Sequence, residues 1–151
     1  MKTKLVCLFG LLLISVQMHA TTNDPATVND KLIKAFRETF PQAKTVHWNE
    51  NGESYFVHFQ ENAIASEIEY DHDGNFVESE RYYTDADMLP LHLACELHKK
   101  FAGKTVYGVT ETNTDTETFY YVKLQDDKEW VTVKGNSFGV TEVVEKFNKV
   151  L

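Results

Sequence analysis

The sequence predicts an α+β protein built as a tandem repeat of two helix-plus-four-strand units, its antiparallel sheet carrying the helices on one face. Three observations predict this. A helical pattern opening at Leu32 returns at Leu93, so that Leu32-x3-Phe36-x3-Phe40 becomes Leu93-x3-Leu97-x3-Phe101 at an offset of 61 residues. Downstream, Tyr55-Phe56-Val57-His58-Phe59 becomes Tyr120-Tyr121-Val122-Lys123-Leu124 at an offset of 65, and Gly74-Asn75 returns as Gly135-Asn136 at 61. Within each copy the apolar spacing changes from three-to-four residues to strict alternation, as a helix with one apolar stripe gives way to strands with one buried face. A period this long exceeds the roughly 20 to 50 residues of solenoid modules and reads as a duplicated small unit.

In unit 1 (residues 28–83), Asn29 or Asp30 caps a helix whose Leu32, Ile33, Phe36 and Phe40 share a face, and Pro41 stops it. Strands are expected at 45–48, 54–60, 64–70 and 75–83. The turns between them are Asn49-Glu50-Asn51-Gly52, Glu61-Asn62 and Asp71-His72-Asp73-Gly74, and Asp-Gly between alternating runs is a strong hairpin signal. Residues 84–87 are a linker. In unit 2 (residues 88–151) the helix is expected over 89–101, with Pro90 in its first turn and Gly103 just past its end. Strands follow at 105–110, 118–125, 129–134 and 137–144, and the acidic loop 111–117 explains the slip in the offset. Both periodicities point Phe36 and Trp48 into the core. Helices lying on one face of an antiparallel sheet define the α+β class.

Residues 1–20 read as an export signal: Lys2 and Lys4, an apolar run from Leu5 to Val16, then Met18-His19-Ala20 ahead of polar Thr21. The run falls short of the roughly 20 residues a membrane span needs, so no membrane insertion is expected. Residues 21–27 form a flexible leader. Cleavage removes Cys7 and leaves Cys95 alone, so the fold must be held by its core rather than by an intrachain disulfide. The chain carries 15 basic against 23 acidic residues, and without Lys2 and Lys4 its net charge moves from −8 to about −10. Such a surface repels phosphate backbones and anionic lipid, which argues against nucleic acid and membrane surfaces as partners. The expectation is a periplasmic or secreted protein, a monomer or weak homodimer.

Candidate chemistry is sparse. With Gly74 at position six of a calcium loop, Glu69, Asp71, Asp73 and Glu80 fall at one, three, five and twelve. The flanks alternate like strands, no paired loop follows, and Trp130 stands where Glu69 would map; a hairpin with solvated carboxylates is the favoured reading over a metal site. His92, Cys95 and His98 recur at every third position of the second helix. Imidazole and thiolate ligate zinc, but no fourth ligand accompanies them. The favoured reading packs Cys95 as a small apolar residue between flanking histidines. There is no G-x-S-x-G, HExxH, P-loop or dinucleotide fingerprint, so no catalytic residue is assigned, no cofactor is implied and an enzyme is not expected.

A surface remains. If Tyr55, Val57, Phe59, Tyr120, Val122 and Leu124 face the helices, then Phe56, His58, Tyr121 and Trp130 face the other way. Aromatic rings on an open sheet face suit protein recognition, where Trp and Tyr dominate binding hot spots.

The first unit carries Phe40-Pro41-x-Ala43, Val46-x-Trp48, Tyr55-x-Val57-x-Phe59 and Tyr70-Asp71-x-Asp73-Gly74. In these residues the chain resembles the β-lactamase-inhibitor-like, or PepSY-like, family of exported bacterial proteins, and the likeness covers two copies from about residue 28 onward. The second copy departs from it, with Ala102 and Gly103 at the Phe-Pro position and Val109 at that of Trp48. The resemblance implies a non-enzymatic domain that binds or inhibits another protein. The expected function is binding of another exported protein, such as a peptidase or cell-wall enzyme, through the open sheet face. The competing expectation is a small-molecule or ion (calcium) binding protein of the cell envelope, using the Asp71–Asp73 turn or a crevice between the units.

Overall fold

The computed structural model of the protein describes residues 28–150. The predicted signal, the leader and Cys7 lie outside the described residues. Helix α1 (Asp30–Thr39) starts at Asn29, whose side-chain oxygen accepts the Lys31 N–H at 2.9 Å, and ends where the Phe40 N–H donates to Phe36 O. Four strands follow: β1 (Lys44–Asn51), β2 (Ser54–Glu61), β3 (Ile64–Asp71) and β4 (Phe76–Tyr83). A short 3-10 turn at Ala86–Met88 leads into helix α2 (Leu91–Lys100), and β5 (Thr105–Thr114), β6 (Thr118–Gln125), β7 (Glu129–Asn136) and β8 (Thr141–Asn148) complete the chain. All eight strands pair in sequence order as one antiparallel sheet.

Register fixes which face each side chain takes, because directly opposed residues share a face. Trp48 opposes Val57 and Val57 opposes Ile68; Tyr83 opposes Val109, which opposes Val122, which opposes Val133. One core gathers Leu32 and Phe36 of α1 with Trp48, Tyr55, Val57, Phe59 and Ile68. The other gathers Leu93 and Leu97 of α2 with Tyr83, Val109, Val122, Leu124, Val131 and Val133. Ile64 packs on the second core and Ile68 belongs to the first, yet both lie on one face of β3, so both helices cover the same side of the sheet. Phe36 is 2% exposed and Trp48 3%, with their rings edge-on at 5.5 Å.

Several boundaries differ from the sequence reading. Pro90 is the cap before α2 rather than a first-turn residue, because residues 86–88 are drawn into the 3-10 turn. Strand β5 runs on to Thr114, so residues 111–114 pair with β4 and β6 instead of forming a loop. The largest correction concerns Gly135-Asn136, matched above to the turn at Gly74. Gly135 lies within β7, opposite Tyr120, and the turn is made by Asn136–Gly139; β8 therefore starts at Thr141, not residue 137. Gly139, at φ +81, has the place in that turn that Gly74, at φ +84, has in the first. Asn136 Oδ1 accepts the Val140 N–H as Asp71 Oδ1 accepts that of Asn75. The offset thus changes from 61 to 65 across the β5–β6 hairpin and stays there, which puts Lys134, not Trp130, at the position matching Glu69.

Candidate functional site

The sheet face opposite the helices is uncovered among the described residues. Register puts on it Phe56 and His58 of β2, Glu67 and Glu69 of β3, Glu78, Glu80 and Tyr82 of β4, Tyr121 of β6, and Trp130 and Lys134 of β7. The alternation is enforced from the other side: Tyr55, Val57, Val122, Val131 and Val133 occupy the core, so their neighbours in sequence must point away. Phe56, Tyr121 and Trp130 are partly exposed and His58 is exposed.

Two regions of different character share this face. Towards β7, cations lie over aromatic rings: Lys149 Nζ is 4.5 Å from the Trp130 ring centroid, and Lys134 Nζ is 3.9 Å from that of Phe119. Tyr107 meets Trp130 edge-on at 4.8 Å, and Phe147 opposes Trp130 across the β7–β8 ladder. Towards β3, Glu67 directly opposes Glu80, and Glu69 opposes Glu78. Like charges in direct opposition oppose folding. His58 relieves one pair, its Nδ1 lying 2.8 Å from Glu67 Oε2, and the Ser54 hydroxyl donates to Glu69 at 2.7 Å. A groove of about 380 Å³ lined by His47, His58, Glu67, Glu80, Tyr82 and Thr110 crosses this region.

The calcium-loop residues are not gathered as ligands. Glu69 and Glu80 sit on the open face of different strands, while Asp71 holds the turn, accepting the Asn75 backbone N–H and side-chain amide, each at 2.8 Å. Those bonds keep the Asp71 carboxyl below its usual range. Among the described residues, no three His, Cys, Asp or Glu side chains are placed to hold a metal ion. Cys95 does not pack as a small apolar residue: it is exposed, as are His92 and His98, because Leu93 and Leu97 set the buried stripe of α2 and Cys95 lies on the far side.

The sequence reading did not single out Tyr82, Tyr107, Phe119, Phe147 or the lysines over the rings. Tyr82, Phe119 and Phe147 could have been found by carrying strand alternation into β4, β6 and β8. Tyr107 could not, because a register irregularity between Val106 and Gly108 interrupts the alternation of β5.

No family model matches the sequence, and no curated protein matches it. Solved structures share the fold. A DUF2874 family protein from Bacteroides ovatus superposes with a TM-score of 0.59 at 16% identity, over 82% of this chain and 86% of that one. A BLIP-like protein from Bacteroides fragilis gives 0.59 at 17%, over 80% and 85%. A candidate periplasmic protein from Bacteroides eggerthii gives 0.60 at 16%, over 80% and 88%. No described helix is long and apolar enough to cross a membrane.

Proposed function

We propose that the protein is a non-enzymatic, exported binding protein of the periplasm that engages another exported protein through its open sheet face. The observation that carries this reading is the set of aromatic side chains on that face, with Tyr82 and Phe147 exposed and Phe56, Tyr121 and Trp130 partly exposed, and no described element covering them. Aromatic rings on strands bring large contact area at low entropic cost, and a rigid sheet presents them preorganised. The structural likeness to a BLIP-like protein supports a binding role, and inhibition of a peptidase or cell-wall enzyme is the form we favour. The likeness to a candidate periplasmic protein supports export, as do the charged start and apolar run of residues 1–20.

We also read the two halves, 28–83 and 88–151, as copies of one unit. Each runs helix then four strands, and equivalent core positions stay in step at 61 residues before the β5–β6 hairpin and 65 after it. Affinity capture from a native envelope extract, followed by mass spectrometry, tests the binding role. The wild-type protein retains a specific exported protein, and a variant with Phe56, Tyr121 and Trp130 all changed to Ser loses it. Equal retention by both rules the open face out.

A further inference from the structure

We propose that the crevice between the two cores, on the helix-bearing face, is a binding site for a single apolar amino acid in its zwitterionic form, of the leucine or phenylalanine class. The site lies on the opposite side of the sheet from the open face and does not depend on the reading given above. Its volume is about 260 Å³, with Phe40, Phe59, Ile64 and Ile68 as apolar walls and Glu61, Ser66, Ser79 and Arg81 as polar lining.

The register explains the opening. Phe59, Ser66 and Arg81 form one row across β2, β3 and β4, and Val57, Ile68 and Ser79 form the next. A serine stands in the middle of the first row and another at the β4 end of the second, where larger residues would fill the space. Helix α1 is already ending at Phe40, and Ile64 begins the neighbouring core.

Arg81 is held at one corner. Its Nη1 donates to Glu111 Oε1 at 3.2 Å, and Glu111 also accepts from the Tyr83 hydroxyl at 3.3 Å and the Asn113 amide at 3.1 Å. The remaining N–H groups of Arg81 and the hydroxyls of Ser66 and Ser79 have no protein partner among the described residues. The Arg81 side chain is 37% exposed. A guanidinium so oriented suits a carboxylate, which it can bind through two N–H groups.

Glu61 lies across β3 from Arg81, two strands and two residues away, or roughly 12 Å between Cα atoms by ordinary strand spacings. It has no ion-pair partner among the described residues. A simple anion in the crevice would face Glu61 uncompensated, and a simple cation would leave the remaining N–H groups of Arg81 without an acceptor. A zwitterion answers both, and the four apolar walls take its side chain. The volume suits a single amino acid rather than a larger ligand.

The test is calorimetry and amide NMR of the purified protein with L-phenylalanine and L-leucine. Saturable binding is expected, with shifts centred on Ile64, Ser66, Ile68, Ser79 and Arg81. L-Phenylalaninamide and N-acetyl-L-phenylalanine should each bind about tenfold or more weakly, since each lacks one charge-assisted partner. Arg81→Gln and Glu61→Gln should each lose a similar factor. Because Arg81 also supports Glu111, Ser79→Leu provides a second variant that fills the crevice and leaves that pair intact, and it should abolish binding. Trp130→Ala should leave binding unchanged. Absence of saturable binding at millimolar ligand, equal affinity for the blocked derivatives, or shifts centred elsewhere would overturn the proposal.

Discussion

Asp126 fastens the β6–β7 turn with a single carboxylate, accepting the backbone N–H groups of Lys128 and Glu129 and ion-pairing with Lys104. Glu129 holds Lys104 from the other side at 2.8 Å and pairs with Lys146 at 2.7 Å. The Lys104 hydrogen bond, then the turn amides, hold the Asp126 carboxyl well below its usual 3.8; Lys104, then Lys146, lower Glu129 from 4.5. A carboxyl depressed on folding contributes stability that is complete above its unfolded pKa and lost as pH falls towards the folded value. Thermal midpoints of the wild-type protein should therefore decline as pH drops below about 4.5, the upper edge of this carboxylate window. Asp126→Asn should lower the midpoint at pH 7 and flatten the decline. Parallel curves for the two proteins would remove Asp126 from the account. Partner preference within the turn was not legible in sequence, where Asp126, Asp127 and Glu129 look alike; chain geometry alone turns Asp126 inward on the amides.

At the scale of elements, α2 meets the sheet through Leu93, which is fully buried and lies over Gly135. A Cβ added at Gly135 would come 2.5 Å from Leu93 Cδ1. Gly135→Ala should therefore cost about 1 to 3 kcal/mol, as overpacking a filled core does. On a Leu93→Ala background the same change should cost less, a coupling of at least about 0.5 kcal/mol measured by chemical denaturation. Additive losses would mean the two do not touch. This contact also explains where sequence reading failed. Glycine before Asn136 looks like turn chemistry, but Gly135 is there for close approach of a helix, a tertiary cause with no local signature. The true turn did leave a signal in Asn136-x-x-Gly139, which matches Asp71-x-x-Gly74 at the offset of the preceding strands. By contrast α1, β2, β3 and β6 were legible, because cap, apolar period and turn residues agree there with the tertiary packing.

For the molecule as a whole, the ladder between β4 and β5 joins two cores into one sheet, and each helix covers its own half of one face. Phe36 sits at the centre of the first core, with rings of Phe40, Trp48 and Phe59 between 5.1 and 5.5 Å away. Phe36→Ala should cost about 3 to 5 kcal/mol by denaturant titration, and an unchanged midpoint would contradict the packing described. None of the described side chains named on the opposite face belongs to either core, and this asymmetry is the basis of the functional reading. The face that Phe56, Tyr121 and Trp130 take was legible from parity, whereas the acidic ladder of Glu67, Glu69, Glu78 and Glu80 emerges only once register aligns β3 with β4. Trp130 separates the two roles most cleanly. It is partly exposed, its ring touched by Tyr107 and overlain by Lys149 and Lys123 rather than enclosed by a core. The decisive measurement is the affinity of Trp130→Ala for the captured partner, taken together with its thermal midpoint. The account predicts binding weakened by roughly 2 kcal/mol or more with a nearly unchanged midpoint, as truncating a hot spot does; unaltered affinity, or loss of folding, would contradict it.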